Sequence, residues 1–125
     1  MDRATILIIE DEQAIQFLLK RIVEQLGHEA ILADDGQMAL ARLAERIPNL
    51  ILTDLSLPGT PFGVDLVNAL RAQVPTCPMI VTTGDLSGER VEELTRVGVE
   101  HIMGKPFDLP VAREMITSIL SRNSG

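Results

Sequence analysis

Near its middle the chain carries the sequence Leu50-Ile51-Leu52-Thr53-Asp54-Leu55-Ser56-Leu57-Pro58-Gly59. An apolar run that ends in a carboxylate and continues into a Pro-Gly turn predicts a short buried strand with Asp54 at its end. Two further apolar runs end in charged residues, residues 6–9 before Glu10-Asp11-Glu12 and residues 99–103 before Gly104-Lys105-Pro106. The carboxyl ends of parallel strands meet at one edge of an α/β sheet, so we expect these charges to converge.

Outward from this centre, strand-like and helix-like segments alternate along the chain. Strand candidates lie near residues 4–10, 29–33, 49–54, 78–83 and 99–103, and helical periodicity covers residues 12–26, 36–47, 64–73, 87–97 and 109–121. Such alternation implies parallel pairing through right-handed crossovers, and continuously apolar strands imply a sheet covered on both faces. We predict an α/β fold with a doubly wound five-stranded parallel sheet and five helices. The flavodoxin-like strand order 2-1-3-4-5 is adopted by analogy.

Composition limits the classes of function. With 125 residues and 46% hydrophobic residues, residues 1–125 should form one domain, with an ordered core near residues 4–121. The aromatic content of 2% and the net charge of −7 argue against direct binding of nucleic acid. No apolar stretch reaches the roughly 18 residues of a membrane span. The single cysteine, Cys77, cannot form an internal disulfide, so we expect a cytoplasmic protein.

The converging charges define a candidate site. Three carboxylates, those of Glu10, Asp11 and Asp54, repel one another and raise their pKa values unless a cation joins them. Oxygen ligands of this kind suit Mg²⁺, or a similar divalent cation such as Mn²⁺, whose common companion is a transferable phosphoryl group. Asp54 is then a candidate nucleophile, and Lys105 supplies positive charge to the phosphoryl oxygens. Thr83, at the end of the fourth strand candidate, can donate a hydroxyl hydrogen bond to them.

Each part of this site has a simpler explanation when it is taken alone. Acids such as Glu10 and Asp11 often begin a helix. A single aspartate such as Asp54 often forms a turn, and a Lys-Pro pair such as that at residues 105–106 often marks a surface loop. The combination, with each part at the end of a different strand, is far more specific for phosphoryl chemistry.

These motifs resemble the receiver domain of a bacterial two-component response regulator. The resemblance covers nearly the whole chain and rests on residues 8–12, 52–59, 81–84 and 105–107. It implies that Asp54 accepts a phosphoryl group from a sensor histidine kinase or a histidine phosphotransfer protein. The domain would assist its own phosphorylation and dephosphorylation without being an enzyme, and it would switch the face that binds a downstream effector.

The resemblance also assigns the remaining roles at the site. It implies that Glu10, Asp11, Asp54 and the backbone carbonyl of Ser56 hold Mg²⁺. It implies further that Thr83 and Lys105 contact the phosphoryl group, and that the peptide bond between residues 105 and 106 is cis.

Two segments depart from the family pattern. Receivers usually have an aromatic residue three positions before the lysine, where this chain has Ile102. Either Ile102 repacks as a smaller two-state element, or the output uses another face. After Pro58-Gly59 the chain continues with Thr60-Pro61-Phe62-Gly63, one residue longer than the usual segment. This loop is either a neutral variant or a feature that shapes access for a particular kinase.

Three other functions share parts of the pattern. A phosphorylation-independent pseudo-receiver would keep the fold as a protein-interaction module, an alternative that Ile102 leaves open. A Mg²⁺-dependent phosphohydrolase would usually have a second acid two residues after the nucleophile, where this chain has Ser56. A flavin carrier shares the fold, but the shortage of aromatic residues argues against it. The set of charged residues therefore favours a phosphoacceptor.

Overall fold

The structure is a computed structural model that describes residues 3–123 of the chain. Five strands alternate with five helices in it, as predicted. The strands are β1 (Thr5–Ile9), β2 (Glu29–Ala33), β3 (Leu50–Asp54), β4 (Met79–Thr83) and β5 (His101–Gly104). The helices are α1 (Gln13–Gln25), α2 (Gly36–Glu45), α3 (Gly63–Gln73), α4 (Gly88–Arg96) and α5 (Leu109–Asn123).

The five strands form one parallel sheet in the order β2-β1-β3-β4-β5. The predicted order is therefore confirmed. Every residue of β1, β3 and β4 is buried, whereas β2 at the edge is half-buried over most of its length. A parallel sheet covered on both faces accounts for the nearly continuous apolar runs of its central strands.

The core lies on both faces of this sheet. On one face, side chains of the sheet pack against Leu43 of α2, Leu70 of α3 and Leu94 of α4. On the other face they pack against Ile22 of α1 and Ile116 of α5. Burial of each large aliphatic side chain stabilises the fold by about 1.5–3 kcal/mol. The two layers of helices hold the strand ends in fixed positions.

Helix α2 ends two residues earlier than its periodicity predicts. Arg46 has an extended backbone, and its guanidinium donates to Glu29 Oε1 at 2.9 Å and to Thr5 Oγ1 at 2.8 Å. Two acceptors on neighbouring strands therefore hold the side chain that follows the helix. The end of the helix thus coincides with contacts to two strands, and Pro48 disfavours helical backbone just beyond it.

The loop between β3 and α3 is packed against the start of α2. The carbonyl of Pro61 lies so close to Gly36 that a Cβ at residue 36 would overlap it. The Asp35 carboxylate caps the same helix by accepting a hydrogen bond from the Met38 N–H at 2.8 Å. The Lys105–Pro106 bond is cis, as predicted, and the Thr60–Pro61 bond is cis as well. The longer loop is thus attached to a neighbouring helix.

Between residues 3 and 123, no helix has both the length and the apolar character needed to cross a membrane.

Candidate functional site

The carboxyl edge of the sheet brings the predicted charges together. Glu10 follows β1, Asp54 ends β3 and Lys105 follows β5. The strand register aligns Asp54 with Thr82 on β4, and Thr83 with Gly104 on β5. The alignment places residues from four segments of the chain at one point of the surface.

Three carboxylates form a cluster at this edge. One oxygen each of Glu10, Asp11 and Asp54 lies within 4.8 Å of the others. Glu10 is 2% exposed and Asp54 is 5% exposed, whereas Asp11 lies at the surface. The predicted convergence of the acids is therefore present. Hard oxygen atoms at this spacing could hold one divalent cation, with access from the side of Asp11.

The ammonium of Lys105 bridges the two buried acids. Its Nζ donates to Asp54 Oδ2 at 2.9 Å and to Glu10 Oε1 at 3.0 Å. Burial disfavours the charged ammonium, but hydrogen bonds to Asp54 and Glu10 and their negative charges outweigh it and raise the Lys105 pKa. The backbone N–H of Lys105 donates to the Thr83 carbonyl at 2.8 Å and fixes the residue beside β4.

The surroundings of Glu10 disfavour the ionised form of its carboxyl group. Its pKa is raised, chiefly by burial and further by the charge of Asp54. Hydrogen bonds from Lys105 and from the Glu12 N–H act in the opposite direction. A second cation at the cluster would therefore favour the ionised form of Glu10.

Both oxygens of Asp54 are held in place. Oδ1 accepts the Ser56 N–H at 3.1 Å, while Oδ2 accepts from Lys105. The turn itself is fixed because the Leu55 N–H donates to the Thr82 carbonyl at 2.9 Å. The role of the Ser56 carbonyl as a metal ligand stays a prediction.

The hydroxyl of Thr83 is engaged elsewhere. Its Oγ1 accepts the Asp85 N–H at 3.1 Å, within the loop between β4 and α4. Thr83 thus ends its strand where predicted, but its hydroxyl makes no hydrogen bond to the acids among the described residues. Its role toward a phosphoryl group also stays a prediction.

A cleft of about 810 Å³ opens beside the Asp54 turn. It lies between the β3–α3 loop and the start of α4, and its walls include Ser56, Phe62, Asp85 and Arg90. The pKa of Asp85 is lowered, first by the hydrogen bond from the Ser87 N–H and further by the Ser87 hydroxyl and Arg90. One wall of the cleft is therefore charged, and the 53% exposed Phe62 forms an apolar part of the other.

The position of the missing aromatic residue is filled by aliphatic packing. Ile102 is half-buried against the core on the side of α2, α3 and α4. Two positions further along the strand, Gly104 is covered by Leu86 of the β4–α4 loop, whose Cδ1 would lie 2.7 Å from a Cβ at residue 104. Leu86 could not be recognised from the sequence, because a solitary leucine in a loop carries no signal of its own.

The contacts of Gln16 at the site could not be recognised from the sequence either. Its side-chain amide donates to the Glu10 carbonyl at 2.8 Å and to Asp34 Oδ1 at 2.9 Å. A glutamine in the first turn of an amphipathic helix looks like an ordinary polar residue, so only the fold reveals its neighbours.

Comparison with known proteins identifies the family. The family model for the response regulator receiver domain matches residues 6–117 of the chain. The chain is 28% identical over 120 residues to the transcriptional regulatory protein PhoP of Escherichia coli, with 96% of this chain and 53% of PhoP covered. It is 34% identical over 104 residues to the nitrogen assimilation regulatory protein NtrX of Azorhizobium caulinodans, with 82% and 23% covered. The chain spans about half the length of PhoP and about a quarter of the length of NtrX.

Solved structures give the same result. A CheY-like receiver domain protein from Methanospirillum hungatei superposes with a TM-score of 0.90 at 28% identity, covering 98% of both chains. The chemotaxis response regulator CheY4 of Vibrio cholerae gives a TM-score of 0.87 at 25% identity, covering 94% of this chain and 99% of CheY4. The chain belongs to the response regulator receiver domain family.

Proposed function

We propose that Asp54 is a phosphoacceptor that takes its phosphoryl group from the phospho-histidine of a sensor kinase or a histidine phosphotransfer protein. The observation that carries this proposal is the buried Asp54 carboxylate, bonded to Lys105 and within 4.8 Å of oxygens of Glu10 and Asp11. A carboxylate in this setting combines a nucleophile with the positive charge that phosphoryl transfer needs.

In the reaction, an oxygen of Asp54 attacks phosphorus as the P–N bond to the imidazole breaks. The electron pair of that bond stays on the imidazole nitrogen, and the product is an acyl phosphate. The Ser56 N–H, which holds Oδ1, and Lys105, which is bound to Oδ2, orient the attacking carboxylate. The raised pKa of Lys105 keeps its ammonium charged beside the transferred oxygens.

The acidic cluster suits Mg²⁺ because its donors are hard oxygens, two of them buried and one, on Asp11, exposed to water. Glu10, Asp11, Asp54 and the Ser56 carbonyl would hold the ion. When bound, Mg²⁺ supplies charge that offsets repulsion between the carboxylates and the incoming phosphoryl group.

A protein donor is favoured by the surface around the acids. Phe62 is exposed in the cleft wall, and Phe17 and Leu18 are exposed on α1, the helix that starts at the site. Apolar side chains beside a charged centre are typical of a surface that a protein partner covers. The cytoplasmic location is part of this proposal, since such a donor and a reduced Cys77 belong there.

Acetyl phosphate with Mg²⁺, followed by intact mass measurement, tests the proposal. We expect a gain of one phosphoryl group in the wild-type chain and in Asp65→Asn, a matched control on α3. The gain should vanish in Asp54→Asn and in the presence of a chelator. A panel of phosphorylated histidine kinases provides the second donor class.

The alternative is a phosphorylation-independent pseudo-receiver. Two observations favour it: the Thr83 hydroxyl is bound to the Asp85 N–H, and the aromatic position holds Ile102. Failure of both donor classes to label Asp54 would support the pseudo-receiver and contradict the phosphoacceptor.

A further inference from the structure

The side-chain amide of Gln16 joins the ends of β1 and β2. Besides its bonds to the Glu10 carbonyl and Asp34 Oδ1, the Nε2 lies 3.5 Å from the Ala33 carbonyl. Gln16 is half-buried, and its own backbone N–H is used within the helix by donating to the Glu12 carbonyl at 2.9 Å. The side-chain amide therefore ties the loop between β1 and α1, which carries two of the acids, to the end of β2.

Asp11 depends on its backbone for its position. It is exposed, and within residues 3–123 its carboxylate makes no hydrogen bond or ion pair. The peptide group that joins Glu10 to Asp11 therefore sets where the backbone presents the Asp11 side chain to the other two acids. The carbonyl of that peptide group is the acceptor of the 2.8 Å bond from Gln16.

A second contact between a side chain and the backbone of this loop uses a candidate metal ligand. The Glu12 N–H donates to Glu10 Oε2 at 3.1 Å, and Glu12, the residue that caps α1, makes no side-chain cap of its own. A cation that draws on the Glu10 carboxylate competes with this contact. The amide of Gln16 bonds to the Glu10 carbonyl instead, so its contact with the loop uses no carboxylate oxygen of the candidate cation site.

We propose that Gln16 is a positioning residue for the cation site, which it serves by fixing the Glu10–Asp11 peptide group. The inference rests on the proposed function, because it takes the acids to be ligands of Mg²⁺. Groups that orient metal ligands typically change affinity by about 10- to 100-fold when removed. Gln16 acts through the backbone rather than on a ligand atom, so we expect Mg²⁺ affinity to fall by about tenfold.

Calorimetric titration with Mg²⁺ tests the inference on the unphosphorylated chain. The variants are Gln16→Leu and Gln16→Glu, and the matched control is Gln13→Leu at the exposed first position of the same helix. Gln16→Leu should bind Mg²⁺ about tenfold more weakly and Gln16→Glu also more weakly than wild type, while the control stays within about twofold of wild type. Urea unfolding of each variant establishes that the titrated protein is folded.

Gln16→Glu separates positioning from charge. Added negative charge alone would strengthen cation binding, whereas loss of the N–H donor should weaken it. Unchanged or tighter Mg²⁺ binding by the folded Gln16 variants would overturn the inference and leave the phosphoacceptor proposal intact. Absence of Mg²⁺ and Mn²⁺ binding by the wild-type chain would overturn both the metal site and the inference. Weakened binding without phosphorylation from any donor would support the inference and count against the phosphoacceptor alone.

Discussion

The Lys105 ammonium contacts the Asp54 carboxylate at 2.9 Å and therefore supplies the positive charge nearest to the candidate nucleophile. The same ammonium neutralises Glu10, so one cation is shared by two buried acids. Removal of that cation leaves the three clustered carboxylates to repel one another.

The first prediction concerns this shared cation. Lys105→Met should lower the free energy of unfolding by about 1–2 kcal/mol in a chelator, below the value for a fully buried pair because Lys105 is partly exposed. Mg²⁺ should restore more stability to the variant than to wild type, because the acids attract the cation more strongly once the ammonium is gone, and tighter binding to the folded state adds more stability. Urea unfolding with and without Mg²⁺ measures both effects, with Lys20→Met on α1 as the control. An equal response to Mg²⁺ in all three proteins would contradict the prediction.

The second prediction concerns the contact between Gly36 and the β3–α3 loop. Gly36→Ala should destabilise the fold by about 1–3 kcal/mol, because its Cβ meets the backbone carbonyl of Pro61, which no side-chain rotation can relieve. Gly88→Ala is the matched control: it also begins a helix, and its Cβ would meet nothing within 4 Å. We expect it to be neutral or stabilising by up to about 1 kcal/mol. Equal unfolding midpoints for the two variants in urea would refute the contact.

The third prediction concerns Leu86, which covers Gly104 although it is 57% exposed. Gly104→Ala should turn the Leu86 side chain outward at a stability change below about 1 kcal/mol, because its end is mobile and partly in water. Methyl NMR should show the loss of contacts between Leu86 and residue 104. Leu86→Val, which shortens the side chain, should remove the collision in the double variant. Persistence of the Leu86 contacts in Gly104→Ala would show that the loop moves instead.

The fourth prediction concerns His28, a buried histidine whose Nδ1 accepts the Ala4 N–H at 3.0 Å. Burial lowers its pKa, so the unfolded chain binds the proton more readily than the folded one. The contribution of His28 to stability is therefore complete above the unfolded pKa of 6.5 and is lost as the pH falls through the lower folded value.

The comparison for His28 is the variant His28→Asn, which keeps an acceptor near Nδ1 and cannot titrate in this range. Chemical unfolding measured from pH 7 downward should show a smaller loss of stability in the variant than in wild type. Parallel curves for the two proteins would assign the acid sensitivity to other groups.

The elements that could be predicted from the sequence are those that local pattern specifies. Central strands of a parallel sheet are apolar throughout, and their carboxyl ends meet at one edge. The sequence therefore sufficed to place Glu10, Asp11, Asp54 and Lys105 together. The strand order came from analogy and is confirmed. The single-domain boundaries remain a prediction.

The features that could not be predicted join residues far apart in the chain. The bonds from Arg46, at the end of α2, to Glu29 span 17 positions, and the bond from Gln16 to Asp34 spans 18. The orientation of the Thr83 hydroxyl depends on the path of the loop that carries Asp85. Periodicity describes which face of an element is buried, but it contains no information on loop paths or on single side-chain bonds.

Because Pro61 approaches Gly36 so closely, the β3–α3 loop and the first residue of α2 depend on each other in sequence. Transfer of residues 59–63 into another receiver domain would require a glycine at the position of Gly36. Any side chain there would displace the loop from its packing position against α2. The same restriction applies in evolution, since the sequence of the loop and the residue at position 36 must change together. Relatives with a shorter loop should tolerate larger residues at that position, and a survey of paired positions across the family would measure how closely the two are linked.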